Sequence, residues 1–437
     1  MTLSMHLLRG ADRIASRFGL EGRPMTAGQL MATAARRTAL DDFGDLAFVE
    51  PLRVLLDAYR AESDLSLFGR IGARWDLLRY LSNLLILQQE EKQDPAITEQ
   101  PIVQPIFITG LPRSGTTFLH SLLAEDPSNL VPRCWQTIYP YPGHPAVGRS
   151  AGPDRVNRQF RAFERLVPEL HSLHPFDARS PQECTEITAH TFASQRFDIT
   201  HDIPSYRRWL AGAGHLRAYR FHKRFLQHLQ GQSGRVGMPP GRWVLKSPDH
   251  VFALDAIAAV YPDARMVFVH RDPLRVLPSS CRLTEVLRRP FTRHVDRLGI
   301  GAQVSCDWAA AAAKLIAASD GAGPWRSERV FHVHYRSLIA DPFKTVAALY
   351  RHFGHALGGA AAGGMHRLIA AKPRGGYGRN SYRFEHYGLH PEHERRRFRD
   401  YVERFRIETE TEPEMSPAAA PADGLHLDST VGLSHGL

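Results

Sequence analysis

A chain of 437 residues, 43% hydrophobic and 23% charged, is long enough to bury one large core with a smaller section beside it. Its formal net charge is +10, which suits a field that draws in polyanionic ligands. No compact Lys/Arg run interleaved with aromatics occurs, so nucleic-acid binding is not expected. No stretch of eighteen apolar residues occurs, and the first residues lack an apolar run with a cleavage site, so no membrane span is expected and the cytoplasm is the expected location. Cys134, Cys184, Cys281 and Cys306 are far apart and match no metal-ligand spacing; reduced thiols and no metal centre are expected.

Residues 1–100 read as a helical section. Leu52, Leu55, Leu56 and Tyr59, then Leu77, Leu78, Leu81, Leu84 and Leu85, recur at helical spacing. They carry no chemistry and suit a packing layer or a homodimer surface, part of which could line a ligand pocket. Charged residues at 88–94, then Pro101 and Pro105, mark the border with an α/β domain expected over 101–407.

That domain opens on the most informative stretch. Ile106, Phe107 and Ile108 predict a buried strand over 105–109, and the chain passes Gly110-Leu111-Pro112 into Arg113-Ser114-Gly115-Thr116-Thr117 and a helix over 118–124. A strand running through a small-residue loop into a helix start collects backbone N–H groups around an anion. Gly110 and Gly115 keep the spacing of the nucleotide-hydrolase loop, but Thr116 stands where that loop has its Lys. The nearest cation is Arg113, whose guanidinium can fork onto a phosphate or sulfonate.

Residues 128–240 read as mixed helices and loops without a second anion loop, a natural place for acceptor recognition. Beyond them strands are predicted at 242–246, 265–269 and 329–334, alternating with helices at 251–260, 274–288, 303–319 and 343–353. This pattern predicts a parallel β-sheet flanked by helices on both faces, with ligands at the carboxyl ends of its strands. Gly110, Lys246 and Arg271 all fall at strand ends. His332 and His334 share one strand and could ligate a metal, though polar contacts in a core strand are the expected role. The tail 408–437, rich in Glu, Thr, Pro, Ala and Gly, is expected to be disordered.

PRSGTTFL at 112–119 resembles the 5'-phosphosulfate loop of P-loop sulfotransferases, which use 3'-phosphoadenosine 5'-phosphosulfate (PAPS). Two further blocks support the resemblance: RWVLKSPDH at 242–250 followed by ARMVFVHRDPLRVLPSSCRL at 264–283, and PRGGYG at 373–378. Together they frame about 105–380, and the Leu-Lys-Ser-Pro and Tyr387-Gly388-Leu389 motifs are similar to the bacterial branch. The resemblance implies a nucleotide-binding α/β fold and sulfuryl transfer to a hydroxyl or amine on a small molecule, lipid or saccharide. It implies that Arg113, Ser114, Gly115, Thr116 and Thr117 hold the 5'-phosphate and sulfonate. Arg271, Ser279, Arg374 and Gly375 would hold the 3'-phosphate, and Lys246 would stabilise the leaving phosphate.

The proton acceptor does not carry over. Pro248 occupies the position of the catalytic His in the cytosolic branch, and Gln136 stands where other relatives have a Glu. Glu183 and His250 are equal candidates. Two other readings remain at this stage: an ATP-dependent P-loop kinase-like transferase, opposed by the missing loop Lys, and a non-catalytic adenosine bisphosphate-binding protein.

Overall fold

The computed structural model describes residues 3–17, 25–147, 152–173, 177–232, 241–321, 323–371 and 383–410. Five parallel strands form one sheet: β1 (Ile106–Gly110), β2 (Asn129–Leu130), β3 (Arg242–Lys246), β4 (Arg265–His270) and β5 (Val330–His334), in the order β2-β3-β1-β4-β5. Every residue of β1 is buried, as expected for a central parallel strand covered on both faces. Its side chains alternate between two cores. Ile106 and Ile108 pack with Leu119, Val244 and Val267 on one side; Phe107 packs with Leu245, Met266 and Phe268 on the other.

The four strands expected from the sequence are present. The two-residue β2 was not expected, because Asn129-Leu130 is too short to show any alternation. The chain leaves β1 toward β2 and β3 on one side and returns to β4 on the other, so the order reverses at β1. Such a switch point opens a crevice beyond the strand ends, and register fixes what borders it. Ile108 pairs with Lys246 and Gly110 with Val269, so the β1 loop, the last residue of β3 and the residue after β4 lie side by side.

Four helices occupy the N-terminal section: α1 (Leu3–Arg17), α2 (Ala27–Thr38), α3 (Val49–Ala61) and α4 (Leu67–Gln93). They form a core of their own, in which Leu30, Leu52, Leu55 and Leu81 meet Phe192, Phe197, Tyr206 and Leu210 from the segment between β2 and β3. The later half of α4, Leu77 to Leu87, is buried on almost every side, which marks an interior helix rather than an amphipathic surface one. Among the described residues no helix is long and apolar enough to cross a membrane.

Candidate active site

The loop after β1 is shaped by backbone positions that few residues tolerate. Gly110 has φ +148°, and a Cβ there would lie 2.1 Å from the Val269 carbonyl oxygen, so only glycine lets β1 run this close to β4. Arg113 sits at φ +60°, a left-handed conformation that costs about 1–3 kcal/mol for a residue with a Cβ. Gly115, at φ +91°, starts the helix α5 (Thr116–Leu123). The Ser114 hydroxyl turns back to the Leu111 carbonyl (2.6 Å) and is fully buried, so it braces the loop.

Lys246 ends β3 with 1% exposure. A buried ammonium needs partners, and two are present: the Glu183 carboxylate at 2.5 Å and the Thr117 hydroxyl at 3.1 Å. Glu183 reaches this point because its segment is pinned beside the start of Cys134–Ile138. Arg133 bridges Pro181, and Gln182 N–H donates to the Pro132 carbonyl (2.7 Å). Gln136 caps that same helix, its Oε1 accepting the Arg133 N–H (2.9 Å), a structural use of the position where the resemblance led one to look for an acid.

Of the two candidate bases, His250 is not at the site. It is fully buried behind the sheet, bonded to the Tyr219 hydroxyl (2.5 Å) and set edge-on to Phe107 at 5.0 Å. Burial and then the nearby His222 hold its pKa well below the usual value, so it stays neutral. Its position four residues past Lys246 suggested the crevice, but the 3-10 turn Pro248–Ala253 rotates it into the core. The residue before it faces the cavity instead. The Asp249 carboxyl is raised to about 8, chiefly by burial and then by the charges of Glu183 and Asp307.

Arg271 follows β4 and lies flat over the Tyr335 ring, 3.8 Å from its centroid. It donates to the Arg113 carbonyl (2.5 Å) and forks onto the Glu410 carboxylate, with Nε and Nη2 at 2.8 and 2.9 Å. The Glu410 N–H in turn donates to Asp272 (2.9 Å), and Glu408 pairs with Arg336. The first residues of the tail expected to be disordered, 408–410, are therefore folded against Arg271 and Arg336, held by charges that composition does not reveal. Residues 411–437 lie outside the described residues. Ser279 meets Arg113, whose Nε donates to the hydroxyl (3.2 Å) while Nη1 donates to the Leu173 carbonyl (3.0 Å). Arg374 and Gly375 also lie outside the described residues. His332 bonds His270 (2.9 Å) beneath Phe405, and among the described residues no group of side chains could hold a metal ion.

These groups border one cavity of about 2010 Å³. Pro112, Arg113, Gly115, Thr116, Thr117, Lys246, Arg271 and Ser279 line one part of it. Phe68, Ile71, Trp75, Phe163, Leu287 and Phe291 line the other, and Glu183 and Asp249 stand between. That space exceeds the range usual for a single drug-sized ligand, and within the first part Arg271 already holds the Glu410 carboxylate. The N-terminal wall hangs on an ion-pair quartet whose inner members, Arg79 and Glu186, are buried. Arg79 reaches Asp76 (3.0 Å) and Glu186 (2.6 Å), and Arg196 reaches the same two acids at 2.8 and 2.7 Å. Burial alone would raise both carboxyls, but the two guanidiniums hold them below their ordinary values. Sequence reading had no signal for this quartet, whose two halves, Asp76 with Arg79 and Glu186 with Arg196, lie more than a hundred residues apart. Asp249 and Tyr335 were legible only as neighbours of strand ends.

The fold and crevice agree with known proteins. The sequence profile of the sulfotransferase family matches residues 105–357, and the chain belongs to that family. It is similar to the omega-hydroxy-beta-dihydromenaquinone-9 sulfotransferase Stf3 of Mycobacterium bovis and of Mycobacterium tuberculosis, with 26% identity over 258 residues in each case. The match covers 57% of this chain and 62% of those proteins, so the chain spans about three-fifths of the length of these relatives. Two solved structures are also similar over nearly their whole length. Sulfotransferase STF1 from Mycobacterium tuberculosis H37Rv has 33% identity and a TM-score of 0.74, covering 86% of this chain and 98% of that one. Sulfotransferase STF9 from Mycobacterium avium has 26% identity and a TM-score of 0.78, covering 88% and 97%.

Proposed function

We propose that this protein is a PAPS-dependent sulfotransferase acting on the hydroxyl of a long, largely apolar acceptor. The observation that carries the reading is the pairing of buried Lys246 with the partly exposed Glu183, set where the loop after β1 meets an aromatic-lined cavity. When bound, PAPS supplies the sulfuryl group and leaves as adenosine 3',5'-bisphosphate. The loop N–H groups and Arg113 would hold its 5' end, and Arg271 with Ser279 its 3'-phosphate. Lys246 would place its ammonium against negative charge growing on the leaving oxygen, the kind of preorganised stabilisation that matters most in group transfer.

Glu183 would take the proton from the acceptor hydroxyl as that oxygen bonds to sulfur. One of its partners is the same Lys246, so a shift of the ammonium toward the leaving group would loosen that pairing and raise the basicity of the carboxylate. A lipid-like acceptor follows from Phe68, Trp75, Phe163 and Phe291 along the second part of the cavity, and the relative named for a menaquinone derivative supports it. A cytoplasmic location and division into a helical section, a core and an inserted acceptor segment belong to the same proposal.

Isothermal titration with adenosine 3',5'-bisphosphate, AMP and ATP tests the donor half. Selective binding of the bisphosphate, weakened roughly 10- to 100-fold in Arg271→Ala, is expected for loss of a forked charged contact. Equal binding of AMP and the bisphosphate would overturn the donor assignment.

A further inference from the structure

The apolar part of the cavity is open to the outside, and its rim has a distinctive chemistry. Ile71 and Trp75, one turn apart on α4, both line the cavity yet are 59% and 43% exposed. Helix Pro153–Leu166 stands beside them. Its Phe163 stacks on Phe291 at 5.8 Å, and Phe291 stacks on Phe68 of α4 at 5.6 Å. The aromatic side of that helix thus faces the cavity, and its other side carries Arg158, Arg161 and Arg165. These are three and four residues apart, hence on one face, and all are exposed. Arg74 is exposed between Ile71 and Trp75.

Helix α1 extends the same rim. Its Asp12 accepts the Leu67 N–H (2.6 Å) and pairs with Arg293 (3.0 Å), seating α1 on the start of α4. Arg13 and Ile14, just beyond, are exposed, Ile14 at 60%. A mouth with tryptophan and isoleucine at its lip and exposed arginines around it has the composition of an interfacial surface. Tryptophan favours the headgroup level of a bilayer, and arginines are attracted to lipid phosphates.

We propose that this rim docks on an anionic bilayer surface, so that a lipid acceptor passes from the membrane into the cavity without crossing water. The proposal rests on the lipid-acceptor reading above and commits to a membrane rather than a protein partner, because the rim pairs basic charge with isolated apolar side chains instead of a broad flat apolar face. Each arginine near such a surface contributes about fivefold to partitioning, so three reversed charges are expected to reduce binding by more than a hundredfold.

The test is co-sedimentation of the full chain with phosphatidylglycerol vesicles and with phosphatidylcholine vesicles. Binding to the anionic vesicles alone is expected, weakened by salt, lost in Arg158→Glu/Arg161→Glu/Arg165→Glu and reduced in Ile71→Ser/Trp75→Ser. Bisphosphate titration of both variants serves as the fold control, since their positions are outside the anion loop. Absence of binding to phosphatidylglycerol, or binding undiminished in both variants, overturns the proposal. So does a dimer in sedimentation that dissociates in Ile71→Ser/Trp75→Ser, which would make the rim a contact between copies. Failure of wild type to prefer the bisphosphate would instead remove the donor assignment, a separate result from vesicle binding.

Discussion

The two walls of the cavity are assembled in opposite ways. The wall proposed for the donor comes from short segments that end strands of one sheet: the loop after β1, Lys246 at the end of β3, and Arg271 just past β4. Pairing of Ile108 with Lys246 and Gly110 with Val269 brings them together before any side chain is considered. The wall proposed for the acceptor draws on α4, on Pro153–Leu166 and on Pro273–Arg288, held by packing, by the Arg79 quartet and by side-chain ties such as Asn83 to the Ile138 carbonyl and Arg288 to the Asp198 carbonyl. A sheet edge can be inherited as a unit. A wall of distant helices can be altered piece by piece, which suits the part that must differ between acceptors.

That contrast can be broken experimentally. Lys246→Ala is expected to lower kcat about 10²–10³-fold, the usual cost of losing one preorganised charge contact, and Glu183→Gln about 10²–10⁴-fold, the range for a general base. In single-turnover assays with PAPS and a long-chain alcohol, Glu183→Gln should retain bisphosphate affinity. Near wild-type turnover in Glu183→Gln would return the base to another group, Asp249 first.

On the opposite wall, Arg79→Leu leaves Glu186 and Asp76 with one guanidinium between them. Breaking a buried pair typically costs about 3–5 kcal/mol, read as a fall in the denaturation midpoint by urea titration. A loss below about 1 kcal/mol would mean the quartet is a solvated pair rather than a tie. The smallest effect expected is at Glu410. Glu410→Gln removes the charge forked on Arg271 and should tighten adenosine 3',5'-bisphosphate binding up to about fivefold, given what partly exposed pairs contribute. Unchanged affinity in calorimetry would mean the tail does not compete for that guanidinium.

What the sequence disclosed follows the same division. Gly110, Lys246 and Arg271 were legible because a buried β-branched run predicts a strand and a strand end predicts a ligand edge, with no alignment needed. Glu183 could be named only as one of two candidates, since the Arg133–Pro181 bridge that aims it depends on pairing between loops nearly fifty residues apart. His250 failed as its rival because a turn of 3-10 helix changed which side of the chain faced inward. Leu77, Leu81 and Leu84 announced a helix that could serve as a packing layer or a dimer surface, but periodicity has no way to say that Ile71 and Trp75 on the same helix border a cavity. Glu410 was hidden in a compositionally simple tail.

The Arg79 quartet also bears on how this molecule can be taken apart or diversified. The family pattern spans 105–357, which invites excision of that stretch as a minimal catalyst. Yet Glu186, one turn beyond Glu183 on the same short helix, is anchored by Arg79 from outside it. A fragment beginning at β1 would carry all the motif residues and lose the keystone that steadies the carboxylate among them. The same dependence ties drift in α4 to drift around Cys184–Thr188: a charge exchanged on one side must be answered on the other, so α4 and that short helix change as a linked pair.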